Sequence, residues 1–288
     1  MRCPRNVLKI IVLQISIGSA VVAWGETNPA EQTPTVSQAG YEQPVNSPEN
    51  WQLGADPFDV ERGNPNVLVD GIGWVIGIPE KVLLWNSEVI NHHISAQTEA
   101  ELTEYLRANE IDEVKVRINQ YAPLDEWRRL RQNKKVGAGW RYTIGALATL
   151  GYTILPGRLV GADAYNPYTN SIYIYSDVPA LALEQAAYAK DVRSRHNPGT
   201  YATSQLLPIW GLKHEHQSKQ DVYEYLGENS SPAELAEAQK VLQPQFGMEV
   251  GGGVGAFAQP LQPVFQIAGA GVGHVVGHRK VQQLSTEK

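Results

Sequence analysis

Residues 165–191, YNPYTNSIYIYSDVPALALEQAAYAKD, join two periodicities end to end. Ile172, Tyr173, Ile174 and Tyr175 are β-branched or aromatic and read as an edge strand. Ser176–Asp177 supplies a turn, and Pro179 opens a helix running to Lys190. Proline suits the first helical turn, where its missing N–H has no intrahelical partner to lose. Along that helix Glu184, Tyr188 and Asp191 fall on one face, four and then three residues apart, with Gln185 beside them.

Outward from this stretch, Val114, Val116 and Ile118 alternate with Lys115 and Arg117, the pattern of a half-buried strand. Thr98 and Glu101 have capping-box spacing ahead of Leu102, Tyr105 and Leu106, predicting a helix to about Asn109. Pro123 starts a short helix with Trp127 and Leu130 inward and Arg128, Arg129 and Arg131 outward. Val67 and Val69 precede Asp70–Gly71, a turn signal, so a small hairpin is expected up to Trp85. Residues 137–160 are apolar but interrupted by Gly145, Gly151 and Pro156, which suggests a buried hairpin or a membrane-dipping segment. A helical stretch over 201–226, broken near Pro208 and Gly211, precedes a capping box at Ser231-Pro232-Ala233-Glu234.

The strand, turn and helix of 172–190 resemble the unit that carries H-E-x-x-H in gluzincin zinc metallopeptidases, especially the CAAX-endopeptidase and heat-shock kind. In that motif two His four residues apart bind zinc and the Glu is the general base. Here the five positions read Glu184, Gln185, Ala186, Ala187 and Tyr188. The resemblance spans Val114 to Leu226 and implies that Glu215, in LKHEHQSKQD, matches the third ligand and Asp221 the acid beyond it. It also implies a groove beside the Tyr-rich strand, with Tyr173 and Tyr175 along an edge that holds an extended peptide. What remains at the metal position is a carboxylate cluster, with Glu184, Asp191, His214 and Glu215 as candidate ligands. Zinc favours His and Cys, so no zinc or other cofactor is expected. Gln185 cannot accept a proton as the motif's Glu does. The alternative for Glu184 is an ion pair with Arg158 or Arg193, and for Glu215 a pair with Lys219 one turn on.

The chain ends carry other signals. Arg2, Arg5 and Lys9 precede an apolar run, Ile10 to Ala23, so residues 1–25 read as an export signal or anchor. Cys3, the only cysteine, lies within it, so neither disulfides nor thiolate metal sites are expected of the rest. Residues 26–65 are polar and Pro-rich without sustained periodicity and read as a solvated tether. From 246 to 288 the chain is Gly-rich, with Gly269, Gly273 and Gly277 every fourth residue, as in glycine-zipper helices that approach closely in lipid. Pro260 and Pro263 divide this tail, which favours a membrane-contacting hairpin or a packed pair over a full span.

A net charge of −6 gives no nucleic-acid footprint. No G-x-S-x-G elbow or phosphate loop occurs. His92–His93 alternate across a strand, so one packed and one exposed imidazole is expected. The basic run Arg128 to Lys135 reads as a solvated face. The whole predicts an α+β fold, a small sheet packed against helices in a zincin-like core over 66–245. The expected function is binding of a peptide or protein at the cell envelope by an exported, catalytically inactive metallopeptidase-like chain. Two alternatives stand beside it: a hydrolase with a rearranged acidic or metal site, and a structural envelope protein organised by its tail.

Overall fold

The computed structural model describes residues 58–257 and 259–286. It is mostly helical around one small mixed sheet. The strands are β1 (Asp59–Arg62), β2 (Lys115–Ile118), β3 (Ala164–Asn166) and β4 (Ser171–Ile174), in the order β1-β2-β4-β3. β1, β2 and β4 run parallel, and β3 is antiparallel to β4 at one edge. The expected edge strand is therefore interior: β4 pairs on both sides, and all four of its residues are buried.

The helices, in chain order, are α1 (Val67–Ile76), α2 (Ile78–Leu84), α3 (Ala96–Ala108) and α4 (Pro123–Gln132). α5 (Ala138–Trp140) passes through a π-helical turn, Arg141–Gly145, into α6 (Ala146–Ile154). α7 (Gly157–Val160), α8 (Pro179–Ser194), α9 (Pro198–Ser204), α10 (Pro208–Asn229), α11 (Pro232–Gly255) and α12 (Gln262–Thr286) follow. Residues 1–57, and with them the expected export signal and most of the tether, lie outside the described residues. The tether ends earlier than expected, because Phe58 is buried and β1 joins the sheet.

One face of the sheet, built from Val116, Ile118, Ile172 and Ile174, belongs to the core completed by α3 and α8. The opposite face is polar but equally buried. Arg117, fully buried, donates through Nε to Glu126 Oε1 at 2.7 Å, and Ser171 Oγ and Tyr173 Oη donate to the same carboxylate at 2.9 and 2.5 Å. Lys115 pairs with Asp59 and Glu61. β2 is thus not half-buried as its alternation suggests. A buried cation is tolerated only with partners, and α4 and β1 provide them.

Two predicted hairpins are helices. Asn66 caps α1 by accepting from the Val69 N–H at 3.1 Å, and its own N–H bonds to Asp70 Oδ2 at 2.8 Å. Asp70–Gly71 serves that cap and first turn instead of a hairpin turn. Residues 137–160 form α5 to α7, with Tyr152 stacked on Tyr173 at 4.9 Å over the polar face of the sheet. The N-cap of α3 is Ser95, accepting from Thr98 N–H at 3.2 Å, three residues before the expected cap. Thr98 Oγ1 instead donates to Asp177 at 2.6 Å, tying α3 to the turn before α8. Arg129, expected outward, donates to the carbonyls of Thr169, Asn170 and Glu113.

The Ser231 capping box forms as predicted, and His92 is buried while His93 is exposed. α11 continues without a break through position 246, where the composition changes, and packs along α12. Gly247 and Gly269 meet there: a Cβ on either would lie 2.0 Å from the other's carbonyl oxygen, so only glycine permits this approach. Among the described residues no helix is long and apolar enough to cross a membrane.

Candidate functional site

α8 is the central helix. Ala180, Ala182, Ala186, Ala187 and Ala189 are all buried, and these small side chains let the sheet, α3, α10 and α11 close around it. A helix buried on nearly every side is a core helix, so each buried polar residue it carries must find a partner inside the protein.

Glu184 finds Lys219 from α10. The Lys219 ammonium, 3% exposed, donates to Glu184 Oε1 and to both Glu249 oxygens at 3.1 and 3.3 Å, and lies 3.5 Å from Glu215 Oε2. The three carboxylates offer oxygens within 4.8 Å of one another. Arg158 and Arg193 are not the partners: Arg158 pairs with Asp70 instead. Burial pushes the Glu184 carboxyl up to about 7, with Lys219 pulling the other way. Burial also raises Glu249 well above the usual carboxylate range. Burial works against the charge on Lys219 as well, yet Glu184, Glu249 and Glu215 together hold its pKa above the ordinary lysine value. The cluster keeps its ammonium charged and loads surplus negative charge onto protonatable carboxyls.

Gln185 is turned to another task. Its Oε1 accepts from the Tyr165 backbone N–H at 3.1 Å, pinning edge strand β3 to α8. Tyr188 lies with its ring 3.9 Å from that of His214 and 5.3 Å from that of Tyr165.

One turn beyond, Asp191 gathers a second network. His214 Nδ1 lies 2.9 Å from Asp191 Oδ2, Tyr201 Oη donates to the same oxygen at 2.5 Å, and Arg195 bonds to Oδ1. Burial would raise the Asp191 carboxyl, but these hydrogen bonds from His214, Tyr201 and Arg195 hold it down at about 2. Ser218 Oγ stands 3.5 Å from His214 Nε2, and both side chains are buried. A cavity of about 240 Å³ opens beside this network, lined by Arg195, Tyr201, Gln205, Trp210, Lys213 and His214 among others.

The structure therefore brings Glu184 and Glu215 together, and separately joins Asp191, His214 and Tyr188. Asp221 belongs to neither group: it accepts from Tyr105 Oη at 2.7 Å and pairs with Lys190 at 2.6 Å, fastening α10 to α3 and α8. Tyr173 and Tyr175 are both buried, which corrects the expectation that they line an open edge; the Tyr173 hydroxyl is spent on Glu126. Sequence reasoning placed Lys219 beside Glu215 but missed its contact with Glu184, and missed Glu249 altogether. Nothing local marks Glu249, which lies at the edge of the Gly-rich stretch and reaches the cluster only because α11 folds against α10.

A zinc ion does not fit these residues. Among the described residues no imidazole joins the Glu184–Glu215–Glu249 cluster, and a lysine ammonium already supplies its cation. No protein-family model, no curated protein and no solved structure matches this chain.

Proposed function

We propose that this chain is a catalytically inactive protein on a metallopeptidase-like framework, working by binding a peptide or protein at the cell envelope. The observation that carries the reading is the position of Lys219. Glu184 and Glu215 stand where the resemblance puts two metal ligands, and the ammonium sits between them and Glu249. A lysine there preserves the electrostatic role of a bound cation while offering no Lewis acid and no open coordination position. The order of parts supports the same framework: antiparallel edge strand β3, then β4, then α8, with α10 bringing Glu215 alongside.

The chemistry a peptidase needs is missing at each step. Gln185 cannot take a proton from water, and its amide is engaged with β3. Tyr188 packs against His214 instead of presenting a ligand. What the scaffold keeps is a supported recess next to α8, the cavity between α9 and α10, lined by cationic Arg195 and Lys213 together with Trp210. That combination suits a peptide carrying a carboxylate and an apolar side chain.

The test is metal analysis of the purified full chain, with peptidase assays on wild type and on Glu215→Ala. The reading expects less than stoichiometric metal and no hydrolysis from either protein. One zinc per chain, or hydrolysis that disappears in Glu215→Ala, would overturn it.

A further inference from the structure

α1 and α2 are built inside out. From Val67 to Trp85 the chain carries three ionisable side chains, Asp70, Glu80 and Lys81, and none of them is exposed. Asp70 is buried against Arg158, at 2.7 and 3.0 Å. Lys81 is buried and donates to the Ile90 carbonyl at 2.9 Å, and Glu80 is half-buried. The outward positions are apolar instead: Val67 is 87% exposed, Leu68 73%, Val82 63% and Trp85 71%, with Trp74 and Val75 also outward. Isolated exposed apolar residues are ordinary; two consecutive helices that turn every charge inward and most of their large apolar side chains outward are not.

The apolar character continues into the neighbouring elements. α7 packs on α1, and the preceding α6 ends in exposed Ile154 and carries no Asp, Glu, Lys, Arg or His. At the other end Trp85 stacks on His274 of α12 at 3.8 Å, next to exposed Val275.

We propose that the outer faces of α1 and α2 seat in the boundary between headgroups and acyl chains of a phospholipid bilayer. Three observations favour lipid over a protein partner. Among the outward side chains of these helices the only hydrogen-bonding groups are the indole N–H groups of Trp74 and Trp85, whereas protein interfaces pair a polar group every 100–200 Å² or so. Tryptophan at the margin of an apolar face matches the amphipathic bilayer boundary. The third is position. The sequence outside the described residues contains a basic start and an apolar run, Ile10 to Ala23, and α1 begins nine residues after the described chain starts at Phe58. The face is thus the first helical part of the domain to follow the segment expected to meet a membrane. This inference is independent of whether the Lys219 cluster descends from a metal site.

The seat is hydrophobic in character. No exposed cation lies on α1 or α2, so attachment through this face does not depend on anionic lipid and responds weakly to salt.

The test uses the full chain with Cys3→Ser, so that a single introduced cysteine carries an environment-sensitive fluorophore. Leu68→Cys, Val75→Cys and Val82→Cys report on the face, and Glu104→Cys and Glu237→Cys report on α3 and α11. Phosphatidylcholine vesicles, with and without phosphatidylglycerol, are added at low and high salt. The expected result is a blue shift at 68, 75 and 82, absent at 104 and 237, similar for both lipid compositions and at both salts. Replacing Leu68 and Val82 with Asp should abolish the shift at 75 and weaken that region's attachment roughly tenfold or more. Because both side chains are exposed, near-UV circular dichroism should stay unchanged. Vesicle flotation without any shift at 68, 75 or 82 would assign attachment to the N-terminal run alone and overturn the proposal. A shift that appears without lipid and grows with protein concentration would assign the face to a second copy and overturn it equally.

Discussion

Lys219 on α10 bonds Glu184 on α8 across 35 residues of sequence, and this pair sits at the centre of the three-carboxylate cluster. Neither side chain is more than a few per cent exposed. Their mutual satisfaction is what makes either tolerable inside the protein.

Removing one partner should therefore be costly. Lys219→Met leaves Glu184 without its cation and is expected to lower unfolding free energy by about 3–5 kcal/mol. Adding Glu184→Leu should restore much of that loss, since Glu215 and Glu249 both retain access to water. Urea denaturation of the two variants checks this. Equal instability of the single and double variants would contradict it.

The Asp191 network predicts a pH dependence of known sign. The carboxyl lies at about 2 in the folded chain against 3.8 for the ordinary side chain. A depressed carboxyl stabilises the fold above the unfolded value, and that stability disappears as pH falls through the folded one. The shift corresponds to about 2 kcal/mol. The stability gap between wild type and Asp191→Asn should be constant above about pH 5 and narrow between about pH 4 and pH 2. A gap independent of pH would contradict the network.

Glu184 should act in the opposite direction. Its carboxyl is raised to about 7, so the folded chain holds a proton that the unfolded chain releases at about 4.5. That contribution is present at acid pH and is lost as pH climbs from about 4.5 towards 7. Proton uptake on refolding near pH 6, smaller in Glu184→Gln than in wild type, is the direct measurement, since Glu249 is raised as well.

If positions 184, 188 and 215 share a metallopeptidase geometry, restoring the missing groups should restore a metal site. Glu184→His, Gln185→Glu and Tyr188→His combined with Lys219→Ala are expected to bind one zinc per chain by calorimetry, with Glu215 as third ligand. Failure of a folded quadruple variant to bind zinc would show that those side chains do not converge.

The helix pair at the C-terminal end allows a local comparison. Gly269→Val places its Cβ about where the Gly247 carbonyl stands and should destabilise by about 3 kcal/mol or more. Gly271→Ala meets nothing within 4 Å and should stabilise by roughly 0.5–1 kcal/mol through helix propensity. Thermal melts of the two variants should move in opposite directions.

Local chemistry was legible wherever a residue acts on its own segment. Pro179 opening α8, the Ser231 capping box, the alternation of β2 and the break before Pro208 all follow from backbone rules that operate over four residues. The same rules misread Asp70–Gly71, because an aspartate that bonds back to Asn66 starts a helix as readily as it turns a hairpin. What tertiary structure alone decided is which surfaces and charges meet. The alternation of β2 could not disclose that Arg117 is buried, since its partners Glu126 and Asp125 come from a later helix. Tyr173 and Tyr175 carry the composition of an edge strand, but β2 pairs on one side of β4 and β3 on the other. Glu249 joined Glu184 only because α11 packs on α10 and α8, a long-range contact that no local spacing marks. Sequence spacing encodes which residues share a helix face; which face each helix offers its neighbour depends on how the helices pack together, and long-range contacts set that packing.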